Sequence, residues 1–261
     1  RVKDNDTSPG TAQYSLTQNQ EATIEVYRQE LVIGTRATRF YREVLDNGVD
    51  SFIIDHDGSS SYAELTLDYE AATDRSILAG TLGTLPASFS VAPEALEAME
   101  VHLGDQSDII VINSTNVTAT FYTNGGEDQI TVETAGADTH FFTGSGIDTV
   151  NIKRINADSY VHGGAGNDGF NAGNDAGKLS DIDGTLWLYG DADDDTIYVD
   201  NIDANTDTPG ALFHNLITGL DMGGMIAYEG AEALYLDLGT GSDEFTVAST
   251  HSGTTDLFAN L

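Results

Sequence analysis

Four aspartates, Asp108, Asp128, Asp148 and Asp168, stand twenty residues apart, closing the segments LGDQSD, TNGGED, TGSGID and GAGND. Asp195 in GDADDDTIYV and Asp243 in LGTGSDEFTV follow at longer intervals, and Asp50 in LDNGVDSFII precedes as a weaker copy, so seven rungs are expected. A fixed period of this size marks a repeat architecture, in which a unit buries its apolar face only against its neighbours. After the aspartates the residues at +2 and +4 are apolar: Ile110/Ile112, Ile130/Val132, Val150/Ile152, Phe170/Ala172, Ile197/Val199 and Phe245/Val247. They alternate with polar residues such as Gln129/Thr131 and Thr149/Asn151. A period of two means a strand with one buried face. About ten residues later a second turn recurs, AGADT and INADS, followed by HFF and YVH. Each step therefore reads turn, strand, turn, strand. Repeated without a hairpin reversal, it stacks each strand parallel to its equivalent, roughly 4.8 Å away. The expected fold is all-β, a parallel β-solenoid of about 20 residues per coil.

The pattern divides the chain. Residues 1–75 hold the strand-like runs TIEVY, ELVIG, TRFYREV, SFIID and AELTLDY, which fit either degenerate coils or a small antiparallel β-sandwich. Residues 76–93 read as a connecting segment, and 94–231 as the solenoid unit with insertions at 171–183 and 201–231. The second insertion reads as a surface loop with packed apolar residues, Leu212, Leu216, Ile217 and Leu220 among them. Residues 232–261 read as the start of a next unit, because EALYLDLGTGSDEFTVAST (232–250) repeats EALEAMEVHLGDQSDIIVINST (94–115) with three residues deleted. A larger repeat of about 135 residues would then be restarting, and the chain is expected to be a piece of a longer repetitive protein.

Charge supplies the next constraint. There are 43 acidic against 10 basic residues, a formal charge of −33, and beyond residue 75 the only basic residues are Lys153, Arg154 and Lys178. Nucleic acid and anionic membrane are thereby poor partners and cations good ones. No stretch is apolar enough to span a membrane as a helix, and without cysteine neither disulfides nor thiolate metal sites are available. Carboxylates stacked about 4.8 Å apart repel by ~1 kcal/mol per pair even in water, so a ladder with no base nearby calls for a counterion. Hard oxygen donors suit calcium. The candidate ligands are Asp108, Asp128, Asp148, Asp168, Asp191, Asp193, Asp195 and Asp243.

Residues 163–171, GGAGNDGFN, fit the pattern G-G-x-G-x-D-x-U-x with U apolar, and Gly126, Gly146 and Gly241 keep its fourth-position glycine. In this the turns resemble the hemolysin-type (RTX-like) calcium-binding nonapeptides of secreted bacterial proteins. The resemblance implies a parallel β-roll with Ca²⁺ between successive turns, held by turn aspartates and backbone carbonyls. It covers residues 94–250, in coils of twenty residues instead of eighteen, and only on the glycine–aspartate edge.

No catalytic residues are expected. His140 and His162 are the only histidines placed to neighbour one another, and no G-x-S-x-G or H-E-x-x-H motif occurs. The expected function is a structural segment of a secreted or cell-surface repetitive protein, a spacer, adhesin-like stalk or filament element. Its expected partners are Ca²⁺, further segments or copies of the same protein, and extracellular glycans, without nucleic acid or membrane insertion. The alternative is a carbohydrate-active β-helix enzyme, a polysaccharide lyase or epimerase.

Overall fold

The structure, a computed structural model, describes residues 14–15, 39–44, 50–55, 62–82, 85–91, 98–205, 207–240 and 244–259. Every regular element among them is a strand, numbered β1 to β22 in chain order, and together they form two eleven-stranded sheets. From residue 98 the chain alternates between the sheets. β7 (Ala98–His102), β9 (Thr118–Tyr122), β11 (Thr139–Ser145), β13 (Ser159–Ala165) and β15 (Thr185–Ala192) are parallel neighbours in one. β8 (Ile109–Ile112), β10 (Gln129–Val132), β12 (Thr149–Ile152), β14 (Gly169–Ala172) and β16 (Thr196–Val199) are parallel neighbours in the other. The arrangement is β-helix-like.

Register follows the sequence period. Ile110, Ile130, Val150, Phe170 and Ile197 form one row across the sheet, and all are buried. Phe121 and Phe141 stack in the same core, ring centroids 5.5 Å apart. The second turn stacks likewise, Thr115 on Ala135 on Ile155 on Ile182, so the insertion at 171–183 rejoins the column through buried Ile182.

β3 (Asp50–Asp55) lies parallel to β7, and β4 (Ala63–Glu70) parallel to β8, so these strands extend the same two sheets. β2 (Arg39–Val44) then pairs antiparallel with β3. β5 (Arg75–Leu82), β6 (Leu85–Val91) and β1 (Tyr14–Ser15) continue antiparallel outward from β4. The segment read as a connection thus carries two strands. Asp50 belongs to the β2–β3 hairpin, and the backbone place one step before Asp108 is taken by Ala63.

Residues 201–231 depart further from expectation. Instead of a loop they contain β17 (Gly210–Phe213), β18 (Leu216–Gly219) and β19 (Met225–Glu229), an antiparallel meander whose last strand runs parallel to β15. Leu212, Ile217 and Ile226 are its inward face and are fully buried. All three strands stay in one sheet, so the chain reaches Glu232 on the side of the other. Hence β20 (Ala233–Asp237) lies beside β16, although its sequence counterpart β7 lies in the opposite sheet. β21 (Phe245–Val247) consequently pairs with β17, leaving Val247 48% exposed where burial was expected. β22 (Thr254–Phe258) then pairs with β20. The repeat of 94–115 at 232–250 is one of sequence, not of position.

The outer face of the sheet containing β7 to β15 carries two rows of stacked rings. His102, Tyr122, Phe142, His162 and Tyr189 follow one another at 4.5, 4.9, 4.9 and 4.3 Å. Beside them run His140, Tyr160 and Trp187, at 4.6 and 6.2 Å. His140 and His162 stand on adjacent strands but in different rows, His140 opposite Tyr160 and His162 opposite Phe142.

Candidate cation-binding ladder

The turn leading into the ladder aspartate bends the same way in four successive steps. Two residues in each have positive φ: Asn124 and Gly126, Gly144 and Gly146, Gly164 and Gly166, Asp191 and Asp193. Gly146 shows the reason, since a Cβ there would lie 1.5 Å from the Gly126 carbonyl oxygen. Asp191 and Asp193 hold the same backbone shape with side chains attached, at φ of 72° and 79°. For an L-residue that costs about 1–2 kcal/mol each.

At the end of each turn the aspartate is folded inward. Asp108, Asp128, Asp148, Asp168 and Asp195 are at most 2% exposed. In each, Oδ1 accepts the backbone N–H of the residue one step earlier: from Ala63 at 2.5 Å, Asp108 at 2.7 Å, and Asp128, Asp148 and Asp168 at 2.8 Å. The series ends on Glu232, whose Oε2 accepts the Asp195 N–H at 2.8 Å. Glu232 therefore fills the rung expected of Asp243, which lies outside the described residues. Its signal in the sequence is position: like the ladder aspartates it directly precedes an alternating strand, ALYLD.

The second carboxyl oxygen is different. In all five aspartates Oδ2 is buried and has no hydrogen-bond partner. The hydroxyls of Thr123 and Thr143 lie beside the Asp128 and Asp148 carboxyls. Each hydroxyl donates to a carbonyl, that of Thr143 at 3.0 Å and that of Gly163 at 2.7 Å, yet still favours the ionised form of the carboxyl beside it. In the next two steps glycine stands in the threonine's place, Gly163 and then Gly190. A Cβ on Gly163 would lie 2.4 Å from Asp168 Oδ2 and 3.0 Å from both the Gly190 carbonyl oxygen and Phe170 Cζ. A Cβ on Gly190 would lie 2.4 Å from Asp195 Oδ2 and 2.5 Å from the Gly230 carbonyl oxygen. These glycines leave room for a carboxyl, a carbonyl and, at Gly163, a core ring. Gly163→Ala is expected to lower stability by ~1–3 kcal/mol through overpacking. Denaturant unfolding checks this, and an unchanged midpoint would show the space to be slack.

Burial dominates the electrostatics. It pushes the Asp108, Asp128 and Asp195 carboxyls up to about 7 and Asp168 up to about 6, and it raises Asp148. The backbone N–H on Oδ1 pulls the other way. Neighbouring charges all add to the upward push: Asp148, Asp191 and Asp193 on Asp168, and Asp168, Glu232 and Asp191 on Asp195. Lys153 is bound to Glu133 at 2.7 Å and Asp175 at 2.8 Å, and Arg154 to Asp181 at 3.0 Å. Neither compensates the ladder.

Of the eight candidate ligands, five thus form one buried row. Asp191 and Asp193 belong to the turn but keep their side chains on its exposed side, Asp191 Oδ2 at 3.2 Å from His162 Nδ1 and Asp193 Oδ2 accepting the Gly166 N–H at 3.1 Å. Among the described residues, no three His, Cys, Asp or Glu side chains converge to hold a metal. A cation here would rest on carbonyls as much as on carboxylates. No family model matches the chain, and neither curated proteins nor solved structures give a match.

Proposed function

We propose that the chain is a structural segment of a secreted or cell-surface repetitive protein, a β-solenoid spacer or stalk whose glycine–aspartate turns take up Ca²⁺. The observation carrying this reading is the row of buried, unpartnered Oδ2 atoms on an acidic chain, where among the described residues Lys153 and Arg154 are paired with other carboxylates. A buried carboxylate needs a proton or a cation. Asp168 and Asp195 are the rungs where a carboxyl oxygen and a backbone carbonyl oxygen pack against the same glycine, Asp168 Oδ2 and the Gly190 carbonyl against Gly163, and Asp195 Oδ2 and the Gly230 carbonyl against Gly190. Calcium accepts such mixed oxygen donors, and its weaker sites belong to extracellular modules. Bound there, it would supply positive charge between carboxyls that otherwise repel.

Melting in millimolar CaCl₂ is expected to exceed melting in EGTA by about 2.7 kcal/mol per site at a hundredfold excess over Kd. NaCl at matched ionic strength controls for screening. Equal melting temperatures in CaCl₂ and EGTA would reduce the motif to a turn-former. The enzyme alternative draws on the His162–Asp191 contact, and turnover of a polysaccharide would overturn the structural reading.

A further inference from the structure

Over the same steps the outer faces of the two sheets differ in chemistry. One presents Gln129, Thr131, Thr149, Asn151 and Asn171 in register, and rings join this row only from β16 onward, where Tyr198 follows Asn171 and stacks on Tyr235 at 4.9 Å. The other presents the two aromatic rows. Stacking alone therefore does not require aromatics. A solvated sheet face is ordinarily polar, and a contiguous aromatic patch on it marks an interaction surface.

The geometry narrows the partner. Along the longer row the ring centroids are 4.3–4.9 Å apart with planes within 12° of parallel. Stacked atoms touch at about 3.5–4.0 Å, so the rings are slipped against one another, and all five are partly exposed. Carboxylates border them: Glu100 lies 2.9 Å from His102 Nε2, Asp191 lies 3.2 Å from His162 Nδ1, and Asp138 and Asp158 flank Tyr160. Among the described residues no lysine or arginine stands in either row. We propose that this face binds a linear amino-sugar polysaccharide bearing free ammonium groups. A pyranose has C–H bonds on its faces and polar groups around its rim, so it stacks on rings while its ammonium reaches the bordering carboxylates or a ring face. An extended peptide would press its backbone N–H and C=O groups against rings, where the sheet, its own groups paired, offers no partner. Phosphate-bearing chains are repelled by the net charge of −33.

Trp187 is the only tryptophan, so its fluorescence reports on this patch alone. The whole chain is titrated with glucosamine hexamer, cellohexaose and oligolysine at about 0.15 M NaCl, where long-range attraction is screened. The expected result is a saturable change in emission with the glucosamine hexamer, on the order of tenfold weaker in Tyr160→Ala and in Tyr189→Ala. Asp191→Asn should also weaken it, Asn151→Ala on the opposite face should not, and melting curves confirm that each variant folds. An equal response to oligolysine, unchanged affinity in the tyrosine variants, or preference for cellohexaose overturns the proposal. The same outcome is expected in EGTA, which separates it from the calcium reading.

Discussion

Without calcium, the folded chain is expected to lose stability continuously as pH rises from about 4 to about 8, and to change little above that. Asp108, Asp128 and Asp195 titrate in the folded state near 7 and Asp168 near 6, against 3.8 for a free aspartate. A folded-state value above the unfolded one means that the folded chain holds more protons across that window. Stability then falls with pH, by up to about 1.4 kcal/mol per unit of difference at each site. Because the carboxyls share one row, their protons leave as a coupled set. Several kcal/mol across five residues is the expected scale. Asp128→Asn tests the cause, since its amide keeps an oxygen for the Asp108 N–H and gives Thr123 Oγ1 a donor without charge. It is expected to flatten the profile and raise the melting temperature at pH 8. Calcium should flatten the wild-type profile too, by replacing protons. A chain that grows more stable from pH 4 to pH 7 in EGTA would show the ladder to be ionised and satisfied.

The twenty-residue period made the core legible. Ile110, Ile130, Val150, Phe170 and Ile197 follow from alternation after a spaced aspartate, because side-chain direction in a strand is set by parity alone. Parity failed where the chain changed sheets. Residues 210–229 alternate as strands do, but a count of strands was needed to see that β20 and β7 end on opposite sides. The ladder was legible in its membership and not in its chemistry. Spacing finds Asp128 and Asp148, whereas the commitment of Oδ1 to a backbone N–H and the isolation of Oδ2 depend on a fold of the turn that spacing does not encode. Glu232 was missed because it breaks the glycine–aspartate pattern while keeping the place. The aromatic rows were missed for a similar reason: His102, Tyr122, Phe142, His162 and Tyr189 share a position but no residue type.

Phe170→Ala is expected to destabilise the chain by ~3–5 kcal/mol, through lost transfer energy and a cavity that the strands cannot close. The ring is 1% exposed, in register with Val150 on one side and Ile197 on the other, and Gly163 lies against its Cζ. Those partners are fixed by parallel ladders, so collapse around the void is restricted. Thr149→Ala, on the outward face of β12, should stay within about 0.5 kcal/mol. Equal losses at both positions would put the strand phase one residue out. The core and the ladder also meet here, because the Gly163 Cα region that touches the ring touches Asp168 Oδ2 as well. Removing the ring admits water beside that carboxyl and relieves its desolvation, the largest cause of its raised titration. Ionisation of Asp168 then costs the folded state less, so the loss from Phe170→Ala should be greater at pH 4 than at pH 8. Guanidinium unfolding of both proteins at the two pH values in EGTA measures the difference. A loss independent of pH would separate the core from the ladder.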